Sequence, residues 1–380
     1  MDPHLRAPYI ASWNVGVQHA FANNLSLEVG YIGNRGERLV LFQDINQINP
    51  ATGVRPYASA FPYLKFINYA SNGAYSRFNS LQATLTKRLS HGLSFLAGYT
   101  YGHGLDNGSL NRFGTLPQNS LNPAAEYASG DFDIRHRLTI TASYEIPGPK
   151  GFGQLLRGWK LNTILNLQSA QPWLAFDAGN GYSGSGDNSD RWNFYGNFAD
   201  FKSGSQSIPY CSGSGEGGCS VTSGVSGVQS FFTAEQSTAM WQQCVAAAPD
   251  QKTLNDGGCY VKGKSVMVPP KAGSFGTMGR NLFRDTGFRN VDFSVFKTFT
   301  FKERYNATFR AEMFNLFNHP IITNPYGASN GYGGASGGTN DMSTSSTFGC
   351  GCATPDVAAG NPLVGSGSSR VIQLGLKFTF

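Results

Sequence analysis

The strongest constraint on the fold of this chain is a two-residue alternation of apolar and polar side chains that recurs in nine segments. The last segment reads RVIQLGLKFTF, in which Ile372, Leu374, Leu376, Phe378 and Phe380 fall on one face. Successive side chains of a β-strand point to opposite faces, so this period predicts strands with one apolar face. Each segment has roughly nine to twelve residues, the length that a tilted strand needs to cross a bilayer. The apolar faces are therefore expected to meet either a protein core or lipid.

The other eight alternating segments are spaced along the whole chain. Their apolar faces lie at residues 13–17, 25–31, 81–89, 93–101, 138–146, 159–167, 291–295 and 305–313. Short connections such as ANN, SHG and TFKE alternate with long ones rich in Gly, Ser and Asn, at about 35–75, 102–134, 170–289 and 318–369. Outer-membrane barrels have tight turns on the periplasmic side and long loops outside. The pattern predicts an all-β fold, an antiparallel transmembrane β-barrel with about nine strands visible.

The composition agrees with a membrane protein. Charged residues make up 14% of the 380 residues, well below the roughly 25% of an average soluble domain. No stretch approaches the roughly 18–20 apolar residues of a transmembrane helix. The net charge of +6 comes without a run of basic residues, so nucleic acid is not an expected partner. The N-terminus shows no export signal, which leaves a cytoplasmic protein or a chain that is not the complete product.

Aromatic residues gather at the ends of the segments. Seven rings fall at the end with short turns, namely Tyr144, Trp159, Phe299, Phe301, Tyr305, Phe378 and Phe380, and four at the other end, namely Trp13, Tyr31, Tyr99 and Tyr101. Two aromatic girdles are typical of a membrane barrel. The alternative is a soluble sandwich with the same rings in its core, which gives no reason for their position at strand ends.

The six cysteines lie in Gly-rich loop sequence as three local pairs: Cys211 with Cys219, Cys244 with Cys259, and Cys350 with Cys352. An even number of cysteines in local pairs predicts disulfides that staple loops in an oxidising compartment. A zinc site is the alternative, but structural zinc usually uses C-x-x-C knuckles, and no His lies near these pairs.

Several polar stretches resemble functional sites only in part. The segment DFDIRHRL gathers Asp131, Asp133 and His136, but we interpret it as the polar entrance of a strand, and no catalytic signature indicates an enzyme. In DAGNGYSGSGDNSDRWN, oxygen-bearing residues suggest a calcium loop without the EF-hand spacing, so a hydrated loop is the stronger interpretation. The residues that suggest calcium are Asp177, Asp187, Asn188 and Asp190. No cofactor is predicted.

The long connection at 170–289 exceeds ordinary loop lengths, and such loops are usually functional. Within it, FTAEQSTAMWQQCVAAAP has Thr233 as a plausible N-cap, which predicts a short helix that ends before Pro249. We expect this loop and the one from Asn318 to Ser369 to contribute to ligand capture.

Four stretches resemble a known family. PYIASWNVGVQHAFANNLSLEVGYIGNRGERL, FNSLQATLTKRLSHGLSFLAGYTYGHGLDN, FDIRHRLTITASYEIPG and GTMGRNLFRDTGFRNVDFSVFKTFTFKERYNATFRAEMFNLFNHP are similar to the C-terminal barrel half of Oar-like TonB-dependent receptors. The resemblance implies a Gram-negative outer membrane, a periplasmic C-terminus, and Phe378 and Phe380 as a signal for the barrel-assembly machinery. Barrels of this class have about 22 strands, so residues 1–380 are expected to be a fragment without the plug.

The resemblance implies an outer-membrane receptor for energy-coupled uptake, with outer-membrane lipid and a TonB-type inner-membrane complex as partners and a small or peptide ligand of unknown identity. The fragment alone is expected to be inactive. A passive porin or adhesin barrel and a soluble secreted β-rich binding protein are the alternatives. Candidate ligand-binding residues are, in the lumen, Glu28, Arg137, Asp292, Arg310 and Glu312, and, in the loops, Asp187, Asp190 and Arg191.

Strand register gives three specific expectations. A turn centred near 301 and 302 places Asp292 opposite Arg310 or Glu312 on the polar face. Glu145 and Lys160 are expected to be neighbours across the connection PGPKGFGQLLRG. Arg88 is expected to lie opposite Ser94.

Overall fold

The computed structural model describes residues 1–109, 116–148, 154–187, 189–212, 218–223, 226–301, 304–319, 321, 341–343, 347–351 and 369–380. Nine long strands form one antiparallel sheet, here called the main sheet, in which each strand pairs with the next long strand along the chain. They are β1 (Tyr9–Ala22), β2 (Leu25–Asp44), β3 (Asn68–Ser90), β4 (Leu93–Asp106), β6 (His136–Ile146), β7 (Trp159–Gln168), β16 (Phe288–Phe301), β17 (Tyr305–Phe314) and β18 (Val371–Thr379). The short β5 (Ala128–Ser129) pairs with β4.

The register of the main sheet keeps apolar and polar side chains on separate faces. Directly opposed residues of neighbouring strands share a face. One row of partners from β4 to β18 consists of Leu93, Tyr144, Leu161, Val295, Ala311 and Leu374. The row one residue away consists of Ser94, Ser143, Asn162, Ser294, Glu312 and Gln373. We call these faces the apolar face and the polar face.

Tight turns fix this register at the end of the main sheet where the connections between strands are short. Between β3 and β4, His91 and Gly92 have φ angles of 52° and 77°, and two successive left-handed residues are typical of a type I′ hairpin. A Cβ on Gly92 would lie 2.4 Å from the carbonyl oxygen of Glu145. That oxygen belongs to the neighbouring β6, so only glycine fits the turn at this position.

The main sheet is open. Strands β1 and β18 form its two edges, and they do not pair with each other within the described residues. All 14 residues of β1 are exposed. An edge strand leaves a row of backbone N–H and C=O groups without partners. The prediction of an incomplete antiparallel barrel is therefore confirmed.

Several strands are longer than the sequence pattern predicts. β2 reaches Asp44 and β3 begins at Asn68, whereas the alternation indicated a loop over 35–75. The extensions alternate poorly because the extension of β2 has four consecutive apolar residues at 39–42, and that of β3 carries polar and small residues on both faces, so the period of two is lost. They project beyond the apolar rows at the end with long connections.

The residues between β7 and β16, here called the insertion, fold into a compact unit. A six-stranded sheet has the order β12-β11-β10-β13-β14-β9, and β8 pairs with β15. The strands are β8 (Pro172–Trp173), β9 (Asn193–Tyr195), β10 (Tyr210–Cys211), β11 (Cys219–Thr222), β12 (Gln229–Phe231), β13 (Cys259–Lys262), β14 (Ser265–Val268) and β15 (Phe283–Arg284). The helices are α1 (Ala234–Ala247) and α2 (Gln251–Gly257). No helix in the described part of the chain is long and apolar enough to span a membrane.

The insertion has the main hydrophobic core among the described residues. Trp173, Trp192, Phe201, Tyr260 and Phe283 are almost completely buried there. The Trp173 and Phe283 ring centroids are 5.1 Å apart. The expectation of a hydrated loop at DAGNGYSGSGDNSDRWN is wrong, because Asp177, Asp190 and Trp192 of this stretch are buried in the insertion. Its strands have two to four residues, which is too few to produce an alternation that a sequence pattern can detect.

Helix α1 and the cysteines follow the sequence predictions. The Thr233 hydroxyl accepts the N–H of Gln236, and the Gln236 side chain accepts the N–H of Thr233, forming a capping box. Disulfides join Cys211 to Cys219 and Cys244 to Cys259. The third expected pair, Cys350 with Cys352, includes a residue outside the described part of the chain.

Candidate ligand-binding surface

The polar face of the main sheet is concave. Residues of β3, β4, β6, β7, β16 and β17 line one groove of about 510 Å³, which requires that these six strands curve around it. Its polar lining includes Arg88, Ser143, Asn162, Asp292 and Glu312. A groove of this size with a few convergent polar groups is typical of a ligand site.

Polar side chains on this face are partly satisfied by one another. Asp292 accepts hydrogen bonds from the Asn290 side chain and from the N–H of Asn315, both at 2.9 Å. The Arg310 guanidinium lies 3.5 Å from the Glu312 carboxylate. Both charged groups of that pair keep access to solvent. A ligand in the groove can therefore replace the water around these two groups without breaking a buried ion pair.

The insertion lies over the end of the main sheet that has the long connections. Its Arg191 donates from two guanidinium nitrogens to the two carboxylate oxygens of Glu126, at 2.7 and 2.8 Å. Glu126 belongs to the connection between β4 and β6, and both side chains are almost fully buried. Burial alone would raise the pKa of Glu126, but the positive charge and hydrogen bonds of Arg191 outweigh burial and lower it.

A second buried cation joins the insertion to β4. Arg280 donates to the Asp106 carboxylate and to the Ser109 hydroxyl, both at 2.8 Å, and to the backbone carbonyl of Glu126 at 2.9 Å. Asp131 lies 3.6 Å from the same guanidinium. Burial raises the pKa of Asp131, although its hydrogen bond from Asn281 and the charge of Arg280 act in the opposite direction. The Arg280 fork thus holds one strand end and the following connection against the insertion.

Asp133 is the third contact point and lies just before β6. It accepts hydrogen bonds from Arg284 of the insertion at 2.6 Å, from Arg135 at 2.9 Å, and from the N–H of Gly104 at 2.9 Å. His103 lies 3.1 Å away on β4. Burial opposes ionisation here, yet these donors outweigh it and hold the pKa of Asp133 well below its usual range. The stretch DFDIRHRL therefore connects the start of β6 to β4 and to the insertion.

The connection between β2 and β3 also contacts the insertion. The Gln47 side chain donates to the Asp187 carboxylate at 2.7 Å, and the N–H of Ile48 donates to the carbonyl of Ser185 at 3.0 Å. Burial, together with the negative charge of Asp44, raises the pKa of Asp187 to about 6. Three different strand ends thus hold the insertion in place above the polar face.

The comparison with family models matches residues 1–373 to the outer membrane beta barrel domain. This chain belongs to the outer membrane beta barrel domain family. The open antiparallel sheet is therefore barrel wall, and the family indicates an outer-membrane location. A comparison with curated proteins gives no match.

Solved structures similar to this barrel domain include three outer-membrane proteins. The ferripyoverdine receptor of Pseudomonas aeruginosa bound to ferripyoverdine is 9% identical, with 98% of this chain and 27% of that chain covered and a TM-score of 0.41. The outer membrane transporter YddB from Escherichia coli is 10% identical, with 84% of this chain and 30% of that chain covered and a TM-score of 0.37. BauA, the ferric preacinetobactin receptor from Acinetobacter baumannii, is 8% identical, with 83% of this chain and 26% of that chain covered and a TM-score of 0.38. The barrel domain spans between a quarter and a third of the length of these chains.

All five lumen candidates lie on the polar face of the barrel wall. Glu28 is opposite Thr84, Arg137 is opposite Thr100, and the three others lie on β16 and β17. The expected position of Asp292 opposite Arg310 or Glu312 is wrong. Arg310 is opposite Phe296 and Glu312 is opposite Ser294. Phe301 pairs with Tyr305, so the partner of each β16 residue lies two to four residues further toward the C-terminus than expected.

The two other register expectations have different outcomes. Glu145 and Lys160 are direct partners, with the ammonium 3.6 Å from the carboxylate, so that expectation is confirmed. Pairing between β3 and β4 is irregular between Lys87 and Ser90, which includes the position of Arg88. Arg88 and Ser94 still line the same groove, although they are not a regular pair.

The three loop candidates are not exposed to a ligand in this barrel domain. Asp187, Asp190 and Arg191 are at most 5% exposed. Asp190 accepts the N–H and hydroxyl of Ser183 at 2.8 and 2.7 Å. The calcium candidate Asp177 likewise accepts the indole N–H of Trp192 at 2.7 Å, and Asn188 lies outside the described residues. These carboxylates organise the insertion, and a role in ligand contact would require it to open.

Two other cations of the junction, Arg280 and Arg284, were not singled out in the sequence. Arg280 and Arg284 occur in GTMGRNLFRD, a stretch noted only for its family resemblance. The available signal was weak: two arginines among glycines and apolar residues, in a chain with few charges. Their carboxylate partners, Asp106 for Arg280 and Asp133 for Arg284, are far away in the sequence, so no local spacing links them.

Proposed function

We propose that this chain is the C-terminal part of the wall of an energy-coupled outer-membrane receptor, in which the polar face and the insertion help to capture a small or peptide ligand. The observation that supports the proposal is the position of the insertion. Three ion pairs fix it over the end of the main sheet that has the long connections, an arrangement that suits a selective entrance to the concave polar groove better than a mobile loop does.

In this proposal the end with short turns and the C-terminus are periplasmic, and the long connections and the insertion are outside. The apolar face meets lipid, and Phe378 and Phe380 take part in recognition by the barrel-assembly machinery. Closure of the wall needs further strands, because an unpaired strand edge in lipid would cost several kcal/mol for each backbone group that lacks a partner. A plug and a TonB-type inner-membrane complex would act through regions of the parent protein outside residues 1–380.

The proposal is tested in cells that express the intact parent protein. Labelled oligopeptides and ferric chelates serve as probes, and their uptake is measured with and without a protonophore. We expect uptake of at least one probe that requires the proton gradient. We also expect this uptake to fall when residues 170–287 are replaced by a short Gly-Ser linker and in the double variant Asp292→Asn with Glu312→Gln.

Glu235→Gln is the matched control, since Glu235 lies on the exposed start of α1, away from the groove. Uptake that the protonophore does not change would support a passive porin instead. Full uptake without the insertion would remove its role in capture. The surface amount of each variant is checked by its heat-modifiable gel mobility, so that loss of assembly is not mistaken for loss of uptake.

A further inference from the structure

Two arginines oppose each other on the outer side of the barrel wall, among the aromatic residues at the end with long connections. Arg35 on β2 and Arg77 on β3 are direct partners in the register. They follow Tyr31 and Leu81 on the same face, because alternate residues of a strand share a face. Trp13 is opposite Gly33, one row below the arginines. The arginines therefore lie about 7 Å further along the strands than Trp13, given about 3.4 Å per residue. Tyr9, which is opposite Glu37, lies one row beyond them.

The charge of this pair is only partly compensated. Like charges placed directly opposite each other destabilise a sheet. Glu37 forms an ion pair with Arg35. Within the part of the chain that the structure describes, no carboxylate lies within ion-pair distance of Arg77. Both arginines are exposed, so an external anion can reach them.

The arginines border a built depression. It has a volume of about 320 Å³, and its lining includes Arg35, Glu37, Tyr75, Arg77 and Tyr127. The Tyr75 and Tyr127 rings are stacked with centroids 5.1 Å apart and an angle of 28° between the planes. Two guanidinium groups beside a rigid aromatic wall suit a phosphate attached to a sugar, since guanidinium binds phosphate through paired hydrogen bonds and rings pack on apolar sugar faces.

We propose that this depression, the Arg35–Arg77 cleft, binds the phosphate of a glycolipid headgroup in the outer leaflet of the outer membrane. The inference rests on the proposed orientation, which places this end of the barrel outside the cell. Aromatic belts lie at the level of the headgroups, and the cleft lies between the rows of Trp13 and Tyr9, within such a belt. Basic pockets at this level recognise anionic headgroups.

The test uses the intact parent protein purified in detergent. Bisphosphorylated lipid A, the same lipid A without phosphates, and inorganic phosphate are the three probes, and native mass spectrometry counts bound molecules. We expect the protein to bind the phosphorylated lipid. Arg77→Gln is expected to weaken this binding about tenfold, as loss of one charge-assisted contact of about 1.4 kcal/mol would do. Arg77→Lys keeps the charge but loses the paired N–H donors of the guanidinium, so its affinity for the lipid should lie between those of the wild type and Arg77→Gln.

Lys252→Gln is the control for charge, because Lys252 lies on the exposed helix α2 of the insertion, away from the cleft. Equal binding of dephosphorylated lipid A, or an unchanged affinity in Arg77→Gln, would overturn the proposal. Saturation by inorganic phosphate at the same concentration would assign the cleft to a free anion and overturn the lipid assignment. The measurement does not need uptake, so a failure of the receptor function leaves it intact. Labelling of Lys252→Cys in whole cells tests the orientation separately.

Discussion

A single charge at the middle of the last strand tests whether the apolar face of the barrel wall meets lipid. Leu374 is 66% exposed on the apolar face, opposite Ala311. Gln373, its neighbour in sequence, lies on the polar face opposite Glu312. Arginine at either position adds the same side chain to the same strand. The two variants therefore differ only in the face that receives the charge.

The expected cost follows from the depth of Leu374. The strand runs from Val371 to Thr379, so Leu374 is one residue from its centre, or roughly 2–3 Å in depth for a strand tilted by about 45°. Arginine on the lipid face near the bilayer centre costs about 2–4 kcal/mol. Gln373→Arg places the guanidinium opposite the Glu312 carboxylate instead, where a favourable pair is worth about 0.2–1 kcal/mol. The two variants should differ by at least about 2 kcal/mol.

The assay is folding of the intact parent barrel into lipid vesicles, followed by the shift in gel mobility between unheated and heated samples. A difference of about 2 kcal/mol corresponds to a difference of about 30-fold in the folded-to-unfolded ratio. Ile372→Arg is a control for depth on the same face, closer to the strand end, with a smaller expected cost. Equal folding of Leu374→Arg and Gln373→Arg would refute a lipid-facing apolar face.

Three further predictions concern the insertion, and limited proteolysis of the intact parent protein measures each. Glu126→Gln leaves Arg191 buried without its anion, which should destabilise docking by about 3–5 kcal/mol; unchanged protease resistance would contradict this. Cys244→Ser opens a disulfide with a sequence separation of 15 residues, which should lower the stability of the insertion by about 3 kcal/mol and reduce its protease resistance. Reductant should lower the resistance of the wild type more than that of the variant, in which only Cys211–Cys219 remains to be reduced. The pKa of Asp187 is raised to about 6, so its contribution to stability is complete below its unfolded pKa and is lost as the pH rises through about 6. The wild type should therefore lose resistance between pH 5 and pH 8 more than Asp187→Asn, and equal losses would show that this carboxyl is not responsible.

The sequence predicted the features that depend on local rules. Alternation found all nine long strands, because each contains a stretch with one apolar face that is long enough to show the period of two. The N-cap at Thr233 and the pairing of Cys244 with Cys259 followed from residues close together in the chain. The partnership of Glu145 and Lys160 followed from counting across one connection. Each of these predictions used information within a short stretch of sequence.

The position of Asp292 shows how easily a count of this kind fails. Its prediction required the centre of a tight turn, and an error of one or two residues in the centre changes the partner by twice as much. The face was still predicted correctly, because the shift is an even number of residues. Alternation thus determines the face of a side chain more reliably than its partner.

The carboxylates of the insertion show why its fold was missed. A Gly-rich and Ser-rich stretch with several Asp residues has the composition of a hydrated loop, yet Asp190 and Asp177 are buried. Ser183 and Trp192 supply the hydrogen bonds that make burial of these carboxylates tolerable. In such a stretch, Ser and Gly provide hydroxyl and backbone donors at close range, which the composition alone does not distinguish from solvent exposure. The same polar residues that suggest a ligand-binding loop can instead form the internal network of a rigid unit, so ligand capture is better sought on the exposed polar face below the insertion.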